Sequence, residues 1–112
     1  FVKELKPEEY EVKLGDKAGD GSQLRPFIVW FGEAVPEIET AIRYVEKAAI
    51  FVIIGTSMNV YPAAGLLNYV PREAEVYLID PKPVDTHSMR KIHVIGKGAS
   101  EGVKELRRIL RP

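Results

Sequence analysis

Ile50-Phe51-Val52-Ile53-Ile54-Gly55-Thr56-Ser57 is the stretch that decides the fold. Its apolar run has no polar member and is rich in β-branched residues, so it suits a central strand buried on both faces, as in parallel sheets covered by helices. Gly55 ends the run where the backbone can turn, and Thr56 and Ser57 offer hydroxyls and N–H groups just beyond it. Open α/β sheets place ligands at that end of a strand. The expected class is therefore α/β, a parallel sheet with flanking helices.

Working outward, Ile28-Val29-Trp30-Phe31 reads as an earlier strand stopped by Gly32. Pro36 suits a first helical turn, Glu37 and Glu39 favour the positive end of its dipole, and Ile38, Ala41, Ile42 and Val45 form a stripe expected to face the sheet. Pro62 marks another first turn, with Ala63, Ala64, Leu66 and Leu67 in a short helix ending near Tyr69. Val76, Leu78 and Ile79 make the next strand, closed by Asp80-Pro81, and Ile92-His93-Val94-Ile95 a further one. Ser100 is the expected cap of the last helix, whose apolar face is Val103, Leu106, Ile109 and Leu110. Alternation of strands and helices predicts parallel pairing and right-handed crossovers.

The segment before Leu24 has a different character: charged, glycine-dotted and weakly patterned. Tyr10, Val12 and Leu14 alternate as a short strand might, and Gly15 through Gly21 reads as a turn or mobile loop. Two parts are expected, residues 1–23 as the remnant of a small module and 24–112 as the α/β part. With 112 residues the core is modest. Sixteen basic and sixteen acidic side chains cancel, so nothing global suggests a nucleic-acid or anionic-membrane surface. No apolar run approaches the roughly 20 residues that cross a bilayer. There is no cysteine for a disulfide, a thiolate zinc site or a nucleophile. A cytoplasmic setting is the default expectation. The chain opens on Phe1 rather than methionine, as a processed product or an excised piece would.

Candidate chemistry gathers on one rim. Gly55, Thr56 and Ser57 could hold a phosphate or a ribose, or simply form a capped turn; neither a Walker motif nor the Gly-x-Gly-x-x-Gly fingerprint is present. Asp80 ends the following strand, where an acidic group can accept ribose hydroxyls or close an Asx-type turn. Gly96 to Ser100 gives a third rim loop, with Lys97 a possible source of charge and a tight strand-to-helix turn the plainer alternative. His93 reads as a packing or edge residue, and His87 with Asp85 lacks a third ligand or a nucleophile. Glu33 has no partner carboxylate to tune it. No residue of the chain is assigned a catalytic role.

Leu24-Arg25-Pro26-Phe27-Ile28-Val29-Trp30-Phe31-Gly32-Glu33, Gly55 through Gly65, and Ile79-Asp80-Pro81-Lys82-Pro83 together resemble the sirtuin (Sir2-like) family of NAD-dependent protein deacylases. The resemblance spans roughly residues 24 to 110 and corresponds to the C-terminal part of the catalytic core. It implies a partial Rossmann-like NAD-binding domain and an enzyme that moves an acyl group from acyl-lysine to ADP-ribose, releasing nicotinamide. NAD would be held by Gly55, Thr56, Ser57, Asp80 and, in the adenine-side loop, Ala99. Asp80 stands where most members have asparagine. Acyl-lysine protein or peptide would meet Val29, whose carbonyl receives the lysine N–H, with Phe31, Gly32 and Glu33 on one side and Met58, Asn59 and Val60 on the other, a strand added to protein backbone.

The departures from the family are equally definite. Its N-terminal glycine-rich loop and catalytic histidine have no counterpart here, and its four zinc cysteines are absent, so zinc is not expected in this chain. The missing N-terminal half of the core becomes an expected partner, self-association a second possibility for the surplus apolar surface, and the chain alone an inactive one. The alternative is a stand-alone, non-catalytic module binding NAD, ADP-ribose or an acylated peptide.

Overall fold

The computed structural model describes residues 2–111 and divides into two compact units, Phe1–Ala34 and Val35–Pro112. In the first, Pro7–Glu9 is a single 3-10 turn. Lys17 and Gln23 form an antiparallel bridge, closed by Ala18 N–H to Ser22 O at 2.8 Å and Leu24 N–H to Asp16 O at 2.8 Å. The Gln23 side chain ties this hairpin together: its Oε1 accepts the Gly15 N–H at 2.7 Å, while its Nε2 donates to Lys13 O and Leu24 O. The Gly15–Gly21 segment is thus an ordered turn with its own hydrogen bonds.

Two expected strands of this unit do not form. Tyr10, Val12 and Leu14 are exposed and unpaired in any ladder, and Ile28-Val29-Trp30-Phe31 runs without a strand partner, Phe31 fully exposed. Both patterns have β-propensity, but a strand exists only by pairing, and no described segment pairs with either.

The second unit carries the sheet. Strands β1 (Ile50–Ile54), β2 (Glu75–Ile79) and β3 (His93–Ile95) lie in the order β1-β2-β3, all parallel. The expectation of β1 as the strand covered on both faces is corrected: β2 is the central one, with Val76, Tyr77, Leu78 and Ile79 all buried. β1 is an edge, leaving Ile50 and Ile54 46% and 44% exposed. Its composition specifies a covered strand, but cover is supplied by neighbours, and helix α2 (Ala99–Leu110) packs on β2 and β3.

Alternation separates two apolar clusters. Ile53, Val76 and Leu78 point to one face with Val45, Met58, Ala64, Leu67, Val70 and Ala74; Tyr77, Ile79 and Ile95 point to the other with Leu106 of α2. Helix α1 (Ile38–Val45) starts just after the turn at Pro36 and places its stripe chiefly against the segment Ala63–Tyr69. That segment is a 3-10 rather than an α-helix, and the three-residue repeat explains why Ala64 and Leu67 are its buried positions, with Val70, buried at the C-cap, continuing the same spacing.

Helix α2 departs from its sequence reading in both its cap and its buried face. Gly98, extended at φ −61° and ψ 163°, is the cap, and Ser100 lies inside the first turn. Of the expected apolar face, Leu106 is buried while Val103, Ile109 and Leu110 are exposed. Gly102 is the other buried residue, seated directly against Ile79. The helix approaches the sheet through a missing side chain.

A crossover without a helix joins β2 to β3, covering residues 80–92. Parallel strands require such a long return. Val84 and Ile92 pack against the first cluster, and Arg90 reaches back to the chain ahead of β2, donating to Val70 O (3.0 Å), Pro71 O (2.9 Å) and Ala74 O (2.9 Å).

Candidate functional site

Strand register builds the site. Ile54 pairs with Ile79 and Ile79 with Ile95, so the next residues, Gly55, Asp80 and Gly96, leave the sheet side by side at its carboxyl rim. The bonds Gly55 N–H to Ile79 O (3.0 Å) and Asp80 N–H to Ile95 O (3.2 Å) extend the ladder one step and fix these departures.

At Gly55 the backbone turns through φ +63°, a left-handed conformation that suits glycine. Thr56 Oγ1 then accepts the Met58 N–H at 3.2 Å, a local turn that leaves its O–H available as a donor. Met58 itself has φ +60° with its side chain buried in the first cluster. One inward anchor thus turns both neighbours, Ser57 and Asn59, toward solvent. Val60 beyond them is exposed.

Ser57, Asn59, Asp80, Lys82, Pro83, Val84 and Asp85 line one concavity of about 250 Å³. Asp80 closes an Asx-type turn through Oδ1, which accepts the Lys82 N–H at 2.8 Å; Oδ2 has no hydrogen-bond partner among the described residues. Asp85 accepts the His87 N–H at 2.8 Å. Three of the residues singled out from sequence, Ser57, Asn59 and Asp80, therefore share a surface. Gly55 and Thr56 border it. Ala99 opens α2 from the neighbouring rim loop and does not line it, and Lys97 is paired with Glu105. His93 stacks on Tyr77 at 4.9 Å between ring centroids, a packing contact.

In the first unit, Trp30 to Glu33 forms a turn, with Glu33 N–H donating to Trp30 O at 3.1 Å and Gly32 at φ +82°. The Glu33 carboxylate receives a two-pronged bond from Arg25, 2.8 and 2.9 Å, and also accepts the Trp30 N–H at 3.2 Å. The Arg25 hydrogen bonds, then the Trp30 N–H, hold its carboxyl below the usual glutamate value. The pair's stabilising contribution is therefore complete above the ordinary glutamate range and is lost as pH falls through the lowered value. Carboxyl-carbon NMR titration should show Glu33 titrating below the ordinary glutamate value and moving up toward that value in Arg25→Ala; an unchanged midpoint would refute this account. Val29 and Phe31 are exposed beside this turn.

An open parallel sheet with glycine, hydroxyl and acidic positions gathered on its carboxyl rim has the α/β architecture of the Rossmann-like folds. Comparison with known proteins gives the family. Residues 3–62 match the Sir2 family model. Over all 112 residues the chain is 83% identical to an NAD-dependent protein deacylase of Bacteroides thetaiotaomicron, covering 48% of that protein. A deacylase of Helicobacter pylori is 46% identical over 88% of this chain and 43% of its own length. A crystal structure of a Sir2 homologue–NAD complex superposes with a TM-score of 0.69 at 32% identity, over 99% of this chain and 45% of that one. The chain belongs to the Sir2 family, and it spans about half the length of the curated relatives it matches.

The residues present do not fit the zinc ion that the family resemblance implies. Cysteine is absent, and among the described residues no group of three or more histidine, aspartate or glutamate side chains is placed to hold a metal. No helix of the described residues is long and apolar enough to cross a membrane.

Sequence reasoning missed Met58 as the anchor of the rim loop, the Lys82–Asp85 wall of the concavity, and Arg90. Only the Asp80-Pro81-Lys82-Pro83 run carried a local hint, as a turn.

Proposed function

We propose that this chain is the C-terminal part of the catalytic core of an NAD-dependent protein lysine deacetylase or deacylase, and that residues 1–23 are the zinc-free end of its small module. What supports the reading is the rim itself: a Sir2-family chain in which Ser57, Asn59 and Asp80 line one concavity next to Gly55. A related Sir2 homologue, 31% identical with a TM-score of 0.69, has been solved with ADP-ribose, and another, 26% identical, with a p53 peptide and NAD+.

Each residue has a distinct task. Gly55 lets the ligand approach backbone, Thr56 and Ser57 hydrogen-bond the ribose and phosphate region, Asp80 accepts a ribose hydroxyl, and Ala99 presents the free N–H end of α2 on the adenine side. NAD supplies the ribose carbon to which the acyl oxygen is transferred as nicotinamide leaves. In the first unit Val29 offers its carbonyl to the substrate lysine N–H, Phe31 an apolar wall, and Gly32 and Glu33 backbone for an extended peptide; in the second, Asn59 and Val60 offer backbone of the same kind.

None of these residues is a general base, so the chain alone binds without turning over. The rest of the core is its partner. The open edge of β1, its exposed Ile50 and Ile54, and the exposed Val103, Ile109 and Leu110 of α2 are surfaces for that half to cover, or for a second copy of the chain in its absence. A cytoplasmic setting, where NAD and protein lysines are both available, completes the proposal.

Incubation of the purified chain with NAD and an acetyl-lysine peptide should release no nicotinamide, while ADP-ribose should shift the amide resonances of Gly55 to Asn59 and Asp80. Robust nicotinamide release would refute the inactive-fragment reading, and absence of any shift would refute the nucleotide site. Binding of ADP-ribose that persists without turnover after the upstream half of a deacylase is added in trans would favour the non-catalytic module.

A further inference from the structure

We infer that Glu105 is a positioning residue: by pairing with Lys97 it holds the rim loop of residues 96–98 in place, and through that loop it sets Asp80 at the edge of the concavity. The inference rests on the rim being the nucleotide site proposed above, and goes beyond it by naming what keeps the third rim loop ordered.

Gly96, Lys97 and Gly98 make the whole connection from β3 to α2. Beyond their chain neighbours, no atom of the described residues stands within 4 Å of where a Cβ on either glycine would lie, so packing does not hold the loop. Its one side chain is that of Lys97, which reaches Glu105 in the second turn of α2. Glu105 is itself fixed. It lies between Gly102, seated against Ile79, and Leu106, buried in the second cluster. Its Oε2 is buried with no hydrogen-bond partner among the described residues, so the Lys97 ammonium is what balances its charge. The neighbouring Lys104–Glu101 pair is of another kind: it is exposed, spans one helical turn and ties the helix only to itself.

From Lys97 the link to the site runs through one atom. The Ile95 carbonyl accepts the Lys97 N–H at 2.8 Å and the Asp80 N–H at 3.2 Å, using both of its lone pairs. Where Lys97 settles therefore decides how the Ile95 oxygen meets Asp80, and Asp80 lines the concavity with Ser57 and Asn59. Lys97 serves the ligand by holding backbone, while its charge stays with Glu105.

Glu105→Gln keeps the shape of the side chain and removes its charge. NMR titration of the chain with ADP-ribose reads affinity from the amide shifts of Ser57 and Asn59, and the same spectra report whether each variant is folded. Glu105→Gln and Lys97→Met should each bind ADP-ribose about fivefold more weakly, the scale of one ion pair. Hydrogen exchange should quicken at Asp80 and Lys97, whose N–H groups share the Ile95 oxygen, and stay unchanged at Leu106. The charge-swapped double variant Lys97→Glu with Glu105→Lys should recover most of the lost affinity, and Lys104→Ala, which breaks the other pair, should bind as the parent does. Tighter binding by Glu105→Gln would mean that a freed Lys97 acts on the ligand directly, and it overturns the inference. So does an affinity within about twofold of the parent for both single variants, a double variant no better than either, or an equal loss in Lys104→Ala; each leaves the nucleotide site standing. Failure of ADP-ribose to bind the folded parent chain overturns the nucleotide site and the inference with it.

Discussion

Replacing Arg90 by alanine should lower the unfolding free energy by about 2–4 kcal/mol, read from urea denaturation. Three hydrogen bonds from one guanidinium, to Val70, Pro71 and Ala74, hold the crossover of residues 80–92 against the segment that leads into β2. Hydrogen bonds to a charged group are worth roughly 1.5–3 kcal/mol each, but three on one side chain do not add fully. The Arg90 Nε–H is also buried without an acceptor among the described residues, which offsets part of the gain. Lysine keeps the charge yet cannot present a planar fork to three carbonyls, so Arg90→Lys should recover less than half of the loss. Hydrogen exchange should quicken at His93–Ile95, whose pairing with β2 depends on where the crossover delivers the chain. A change within 0.5 kcal/mol for Arg90→Ala, on the scale of an ordinary surface substitution, would show that the crossover is held by Val84 and Ile92 alone.

Gly102→Val should destabilise by about 3 kcal/mol or more, and Ile79→Leu should partly rescue it. A Cβ on residue 102 would overlap Ile79 Cγ2 and stand 3.3 Å from Ile79 Cβ, and Ile79 is fully buried with no room to withdraw. Overpacking of this kind costs roughly 1–3 kcal/mol even for modest insertions, and valine adds two further methyl groups. Gly102→Ala makes the competition visible. The alanine gains about 1 kcal/mol of helix propensity and still loses on balance, because the overlap involves a side chain pinned between sheet and helix. Leucine at 79 moves the branch from Cβ to Cγ at equal volume, removing the methyl that meets the helix. A double-mutant cycle of Gly102→Val with Ile79→Leu should therefore give a coupling of at least about 1 kcal/mol. Strict additivity would mean that α2 does not rest on Ile79.

The site and the fold were legible to different depths. β1, β2, β3 and both α-helices stood out because each is a continuous apolar run or a helical stripe bounded by glycine, proline or acid, and these signals are local. Asn59 was reached only through the family resemblance, but Ser57 and Asp80 were legible too: strands of a parallel sheet run the same way, so the residues ending them collect on one rim. The environment of each element was not. Val103, Ile109 and Leu110 carry a helix-face pattern but lie exposed, while Gly102, which no hydropathy pattern selects, makes the closest approach to the sheet. Arg90 looks like any charged residue in a loop, and its partners stand 16 to 20 positions earlier in the chain. Glu33, for which the sequence shows no partner carboxylate, has its own carboxylate committed to Arg25 and the Trp30 N–H.

By itself, then, the sequence determined an α/β chain of parallel strands with polar residues on their carboxyl ends, since β-branching, helical periodicity and turn chemistry act over a few neighbouring residues. Tertiary structure alone decided that β2 rather than β1 is central, that Ile28–Phe31 has no ladder, and that Asp80 keeps one oxygen free above a concavity it shares with Ser57 and Asn59. The reason is that centrality, pairing and concavity are properties of what lies alongside a segment, and neighbours in space are fixed by the closing of the whole sheet.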